Sequence, residues 1–112
     1  MNASTINVTT TNIDIGKDFS HYPAGRYETD GPFNGELFRA EFLVPVLNSH
    51  QQITIELDNT AGYGSSFLEE AFGGLVRLGY SSAQIKTAIT FHSEDPSLIE
   101  EIEEYILDAE QD

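Results

Sequence analysis

The chain has 112 residues, no cysteine and a formal net charge of −14. That length suits one domain, spanning 1–112. The lack of cysteine rules out disulfides and thiol catalysis, and the charge opposes direct contact with nucleic acid or anionic lipid. Hydrophobic residues make up 39% of the chain, enough for one core, and no run is long and apolar enough to span a membrane.

The opening stretch, MNASTINVTTTN, holds neither a basic region nor an apolar run, so no signal peptide and a cytoplasmic location are expected. Asn2-Ala3-Ser4 and Asn7-Val8-Thr9 match glycosylation acceptors, which without a secretion signal are chance matches. Ile6 to Ile15 is rich in β-branched residues and reads as one strand or a short hairpin. Ile6 and Val8 share one alternation phase, and Ile13 and Ile15 share the other. Thr11-Asn12 is therefore a turn or a bulge, and residues 1–12 form a strand or hairpin extension.

Asp18 to Asn34 is loop-rich, with Pro23, Gly25, Gly31 and Pro32, and Arg26-Tyr27-Glu28 reads as a short strand within it. Asn34 is a helix N-cap. The helix at 34–47 buries Leu37, Phe38, Ala40, Phe42, Leu43 and Val46, and Pro45 should kink or end it. Ile53, Ile55 and Leu57 alternate with Thr54 and Glu56, as in a strand with one buried face. Asp58 to Gly64 is a loop.

Ser66-Phe67-Leu68-Glu69 has capping-box spacing, with Ser66 as N-cap and Glu69 as its reciprocal acceptor. The helix at 66–78 follows and ends at Gly79. Gly73-Gly74 in its middle implies close approach of another backbone, such as the sheet. Ser81 to Gln84 can cap one helical turn, and Lys86 to His92 alternates as a strand. Asp95-Pro96 starts a helix at 95–110. Its apolar stripe is Leu98, Ile99, Ile102, Tyr105, Ile106 and Ala109; Glu100, Glu101, Glu103, Glu104 and Asp108 form an acidic outer surface.

This order implies an α/β domain with a small mixed sheet. Strands 53–57 and 86–92 flank a helix and should be adjacent and parallel with a right-handed crossover. Ser65 and Ser66 then lie at the C-terminal edge of a strand and at a helix N-terminus, where free N–H groups and the helix dipole favour an anion. Ser65 is either a regulated contact residue or a turn residue. No G-x-S-x-G frame surrounds the serines and no base lies near them in sequence, so no enzyme activity is expected.

His21, His50 and His92 lack metal-ligand spacing, and Asp58-Asn59-Thr60-Ala61-Gly62 lacks the calcium-loop pattern. Adjacent helical glutamates point apart and make poor acid–base pairs. No metal or cofactor is expected. Arg26 and Arg39 are rare cations here, serving either structural salt bridges or contact with a partner.

The runs DFSHYPAGRYETDGPFNGELFRAEFLVPVL and ITIELDNTAGYGSSFLEEAFGGLVRLG resemble the bacterial STAS-like family of unknown function, from about residue 13 onward. The family is named for its likeness to STAS domains, among them anti-sigma-factor antagonists. In those, a serine within Asp-Ser-Ser-Gly at a helix start is phosphorylated by a partner kinase, and the phosphate controls binding to that partner. The resemblance places Ser65 on that serine and Ser66 on the next; Gly64 and Phe67 replace the motif's Asp and Gly.

What the resemblance implies is a STAS-like fold and a non-enzymatic regulatory module that binds a kinase- or ATPase-like protein and is switched at Ser65. It would act in a bacterial cytoplasm or a phage-infected cell. The expected contact surface is the turn at 62–70, with Asp58, Tyr63 and Glu70, together with Arg26 and Arg39. The alternative is an acidic nucleic-acid mimic, for example phage-encoded, whose Glu100, Glu101, Glu103, Glu104 and Asp108 block a basic groove of a nuclease or another nucleic-acid-binding complex.

Overall fold

A computed structural model of the chain describes residues 9–111. Ile6 and Val8, and with them the first half of the expected hairpin extension, lie outside the described residues. Strand β1, Thr10–Asp14, runs straight through Thr11 and Asn12, so these two form neither a turn nor a bulge. Their branched or hydrogen-bonding side chains suit a pleated edge, and the Thr11 hydroxyl donates to the Gln51 side chain at 2.7 Å.

Helix α1 covers residues 35–48, with Asn34 capping it by accepting from the Leu37 N–H at 2.8 Å. Strand β2 is Gln52–Glu56, and helix α2 covers residues 65–77. Helix α3 is Ser82–Ala88, strand β3 is Ile89–His92, and helix α4 is Pro96–Gln111. The three strands lie in the order β1-β2-β3, all parallel, with Ile13 beside Ile55 and Ile55 beside Phe91. The described sheet is thus parallel rather than mixed, because each of its connections is a helical crossover. The adjacent, parallel pairing of β2 and β3 agrees with expectation.

Two further local readings change, and of the two for Pro45 only the end of the helix is excluded. Lys86, Thr87 and Ala88 are helical, not strand. Ser81 accepts from the Gln84 N–H and Gln84 reaches back to the Ser81 N–H, a full capping box, and Ile85 and Ile89 then share the buried side at helical spacing. Arg26-Tyr27-Glu28 is not a strand: Glu28–Asp30 is a single 3₁₀ turn, held by Asp30 accepting from the Arg26 and Tyr27 N–H groups. Pro45 does not end α1. The Arg39–Leu43 segment just before it is a wide π turn, which relieves the crowding that a proline ring imposes on the preceding turn.

The buried strand residues, Ile13, Ile53, Ile55 and Ile89, belong to one face, continued by Ile15 and Leu57. Helices cover that face through Phe38, Leu43, Phe67, Phe72 and Leu75, and α4 adds Ile102 and Ile106. Each fully buried phenylalanine contributes about 1.5–3 kcal/mol by leaving water. The rings also interlock: Phe38 lies 5.8 Å from Phe67, and Phe72 meets Phe91 edge-on at 5.3 Å. The opposite sheet face, Asn12, Asp14, Thr54, Glu56, Thr90 and His92, is polar and exposed or half-buried.

The glycines explain how α1, α2 and α4 approach. A Cβ on Gly35 would stand 2.5 Å from the Phe67 carbonyl oxygen, and one on Gly74 would fall on the Arg39 guanidinium. A Cβ on Gly73 would stand 2.5 Å from the Glu69 carboxylate and 3.3 Å from the Tyr105 carbonyl, so the neighbouring backbone that it admits belongs to α4 and not to the sheet.

Candidate functional site

The loop after β2 lashes together the C-terminal ends of all three strands. The Asp58 carboxylate accepts from the Ser93 hydroxyl at 2.6 Å and from the Glu94 N–H at 2.7 Å. The Asn59 side chain donates to Asp14 at 2.6 Å, and its carbonyl lies 2.8 Å from the His21 ring. Tyr63 donates its hydroxyl to the Leu57 carbonyl at 2.7 Å. Burial, aided by the nearby Asp58 charge, pushes the Tyr63 phenol up to about 12. Asp58 and Tyr63 are therefore both engaged in holding the turn.

Gly64, extended at φ −74° and ψ 143°, is the N-cap of α2. Ser65 and Ser66 are the first and second helical residues, both exposed, and no side chain caps this end. The expected capping box of Ser66 with Glu69 is not formed. Glu69 turns instead to Arg77, at 2.8 and 3.0 Å, and to Arg26. Several bonds to guanidinium groups, in which both partners are charged, outweigh one bond from an uncharged backbone N–H to the carboxylate. Ser65 and Ser66 stand on the wall of a groove of about 600 Å³, facing Arg26, Tyr27 and Asp30 of the preceding loop.

Beneath that groove runs an ion network. Arg26 reaches Glu69 and, at 3.2 Å, Glu70. Arg77 bridges Glu69 and Glu70, the latter at 3.2 Å. Arg39 reaches Glu70 at 2.7 Å. The Arg77 hydrogen bond, opposed by partial burial and aided by Arg26, holds the Glu69 carboxyl below its usual range. The same hydrogen bonds to Glu69 raise Arg77 and Arg26.

Arg39 and Glu70 are only 8% and 5% exposed, so neither belongs to a contact surface. Of the two expectations for Arg39, a structural salt bridge and contact with a partner, the first is what forms. The helices turn Arg39 and Glu70 toward each other in the interface between α1 and α2. Arg26, half-buried, keeps a side on the groove. Arg77 was missed, although it stands seven and eight residues after Glu70 and Glu69, two turns along one helix face. Tyr27 and Asp30 carry no sequence signal for this groove.

On α4, Glu100, Glu103, Glu104 and Asp108 are exposed, and none of them pairs with a cation among the described residues. Glu101 is half-buried and accepts from the Tyr105 hydroxyl at 2.5 Å, which pushes that phenol up to about 12. Among the described residues, His21, His50 and His92 join no set of three groups able to hold a metal. No helix there is long and apolar enough to cross a membrane.

Neither the curated proteins nor the solved structures offer a match to this chain. A family model does, over residues 34–98, and it is described as a STAS-like domain of unknown function (DUF4325). Those residues run from the Asn34 cap through α1, β2, α2, α3 and β3 into the first turn of α4, and they include the Gly64-Ser65-Ser66 helix start. The chain belongs to this family of STAS-like domains.

Proposed function

We propose that the chain is a non-enzymatic regulatory module whose partner is a protein, with the contact surface around Ser65 and Ser66. The observation that carries this reading is the pair of exposed hydroxyls at the start of α2, uncommitted to capping, on a groove shared with Arg26 and Tyr27. A phosphate on Ser65 brings about −1.5 to −2 charges to this helix N-terminus, where the free N–H groups and the dipole stabilise it. The fold tolerates that change while the surface turns from hydroxyl to dianion. Family likeness makes a kinase- or ATPase-like protein the expected partner.

The test is capture of partners from the native host by wild type, Ser65→Ala and Ser65→Asp, with mass spectrometry of the serines. A change of about tenfold or more in affinity, corresponding to about 1.4 kcal/mol, is expected between the variants. Equal affinity for all three, with no phosphate on Ser65 in cells, rejects the switch.

A second reading rests on a different observation. Three of the five basic side chains, Arg26, Arg39 and Arg77, neutralise Glu69 and Glu70 internally, while Glu100, Glu103, Glu104 and Asp108 of α4 meet no cation among the described residues. Such a surface suits a nucleic-acid mimic that occupies a basic groove. Reversing Glu100, Glu103 and Glu104 to lysine then abolishes binding, and wild-type binding falls steeply with salt. Unchanged binding by the triple variant removes this reading.

A further inference from the structure

β3 is an edge of the described sheet, and part of its backbone points away from β2. The Leu57 N–H donates to the His92 carbonyl at 3.0 Å. In the parallel register this turns the backbone groups of Thr90 and His92 inward and those of Ile89 and Phe91 outward. The Ile89 N–H closes α3 by donating to the Ile85 carbonyl. The Ile89 carbonyl and both backbone groups of Phe91 then have no partner among the described backbone bonds.

Those groups open onto an apolar groove. Ile85 of α3, Ile89 and Phe91 of β3, and Ile106 and Leu107 of α4 surround a volume of about 480 Å³. Leu107 is 51% exposed, although it belongs to a helix with a well-buried apolar stripe. Glu103, one turn before Leu107, and Lys86 of α3 also line the groove.

We propose that this edge and groove bind an extended segment of a partner protein, in which apolar and basic residues alternate, as a fourth strand beside β3. Each part of the surface selects one feature of that segment. Unpaired backbone groups on a strand edge select another extended backbone. The groove accepts every second side chain, on the helix-covered side. The intervening side chains fall on the polar sheet face beside Thr90 and His92, with Glu56 one strand further in, and Glu103 lines the groove itself. A protein of net charge −14 favours lysine or arginine there and opposes a second copy of itself. The surface involves neither Ser65 nor Ser66.

The experiment titrates the full chain with short peptides of alternating valine and lysine, followed by NMR and amide hydrogen exchange. Controls are the same peptides N-methylated at alternate residues in either register, and alternating valine–glutamate peptides. The valine–lysine peptide should bind and slow exchange at the Phe91 amide. Leu107→Glu, checked for an unchanged melting temperature, should weaken binding at least about tenfold, as should N-methylation in one register and the change to glutamate. Leu107→Ala serves if the glutamate variant does not fold. Absence of binding at millimolar peptide overturns the proposal. So does equal binding by Leu107→Glu, by both N-methylated peptides or by the acidic peptide. A self-association seen in sedimentation, removed by Leu107→Glu and not displaced by peptide, also overturns it in favour of a second copy.

Discussion

The Arg39 guanidinium donates both to the Glu70 carboxylate, at 2.7 Å, and to the Glu70 carbonyl, at 2.5 Å. Both residues lie in π turns, Arg39–Leu43 in α1 and Glu69–Gly73 in α2. The wide turn around Glu70 contains the carbonyl that Arg39 reaches, and Gly74 leaves room for the guanidinium. One side chain thus ties the helix that starts at Ser65 to the neighbouring helix. Removing one partner of a buried ion pair leaves a desolvated charge. Glu70 keeps Arg26 and Arg77, each at 3.2 Å, so Arg39→Met should cost about 1–3 kcal/mol in urea unfolding, less than a buried charge left with no partner. The double change with Glu70→Met should cost less than the sum of the single changes by at least about 1 kcal/mol. Simple additivity would show that the two groups are not coupled.

Alanine is the better helix former by about 1 kcal/mol, yet Gly35→Ala should destabilise. Its Cβ would meet the Phe67 carbonyl at 2.5 Å and the Ala71 nitrogen at 3.0 Å, both backbone atoms that a rotamer change cannot move. Overpacking of this kind costs about 1–3 kcal/mol, read as a lowered denaturant midpoint. A raised midpoint would mean that α1 and α2 stand farther apart.

The caps give a test with opposite outcomes in two serines. Ser81 accepts from the Gln84 N–H at 3.1 Å, so Ser81→Ala should cost about 1 kcal/mol. Ser66 is the second residue of α2 and caps nothing, so Ser66→Ala should stay within about 0.5 kcal/mol of wild type. Gly64→Ser should stabilise slightly by supplying the missing acceptor.

At high pH two tyrosines should ionise late. Tyr63 is raised to about 12 mainly by burial, and Tyr105 to about 12 mainly by the Glu101 hydrogen bond. A folded-state value above the ordinary one of about 10 means that the native state holds the proton more tightly. The corresponding stability is present in full below about pH 10 and is lost as pH rises toward 12. Ultraviolet titration should show two phenols lagging, and Tyr63→Phe should leave one.

At low pH the sign reverses. The Glu69 carboxyl is held below its usual range by Arg77 and Arg26, so its contribution is present above the unfolded value and is lost as pH falls through the folded one. Glu69→Gln should flatten the acid limb of the stability profile. An unchanged limb would place the acid sensitivity in other carboxylates.

The sequence by itself determined most of the elements and the parallel pairing of β2 with β3. Ile53, Ile55 and Leu57 alternate too regularly for a helix, and the apolar stripe of α4 repeats too regularly for anything else. Local chemistry placed Asn34 as a cap, and the glycine-spaced turn pointed to Ser65 and Ser66 on an exposed helix start. The tertiary structure decided what depends on partners distant in sequence. Lys86 to Ala88 alternate acceptably as a strand, yet the Ser81 cap and the burial of Ile85 make them helical. Glu69 has the spacing of a capping residue, but two arginines, eight residues ahead and forty-three behind, offer stronger bonds. A structural salt bridge at Arg39 was one of the two readings open in the sequence, but its partner Glu70 was not legible, because nothing within either helix reveals the other. Only the crossing of α1 and α2 brings them together, out of water, where each is the condition for burying the other.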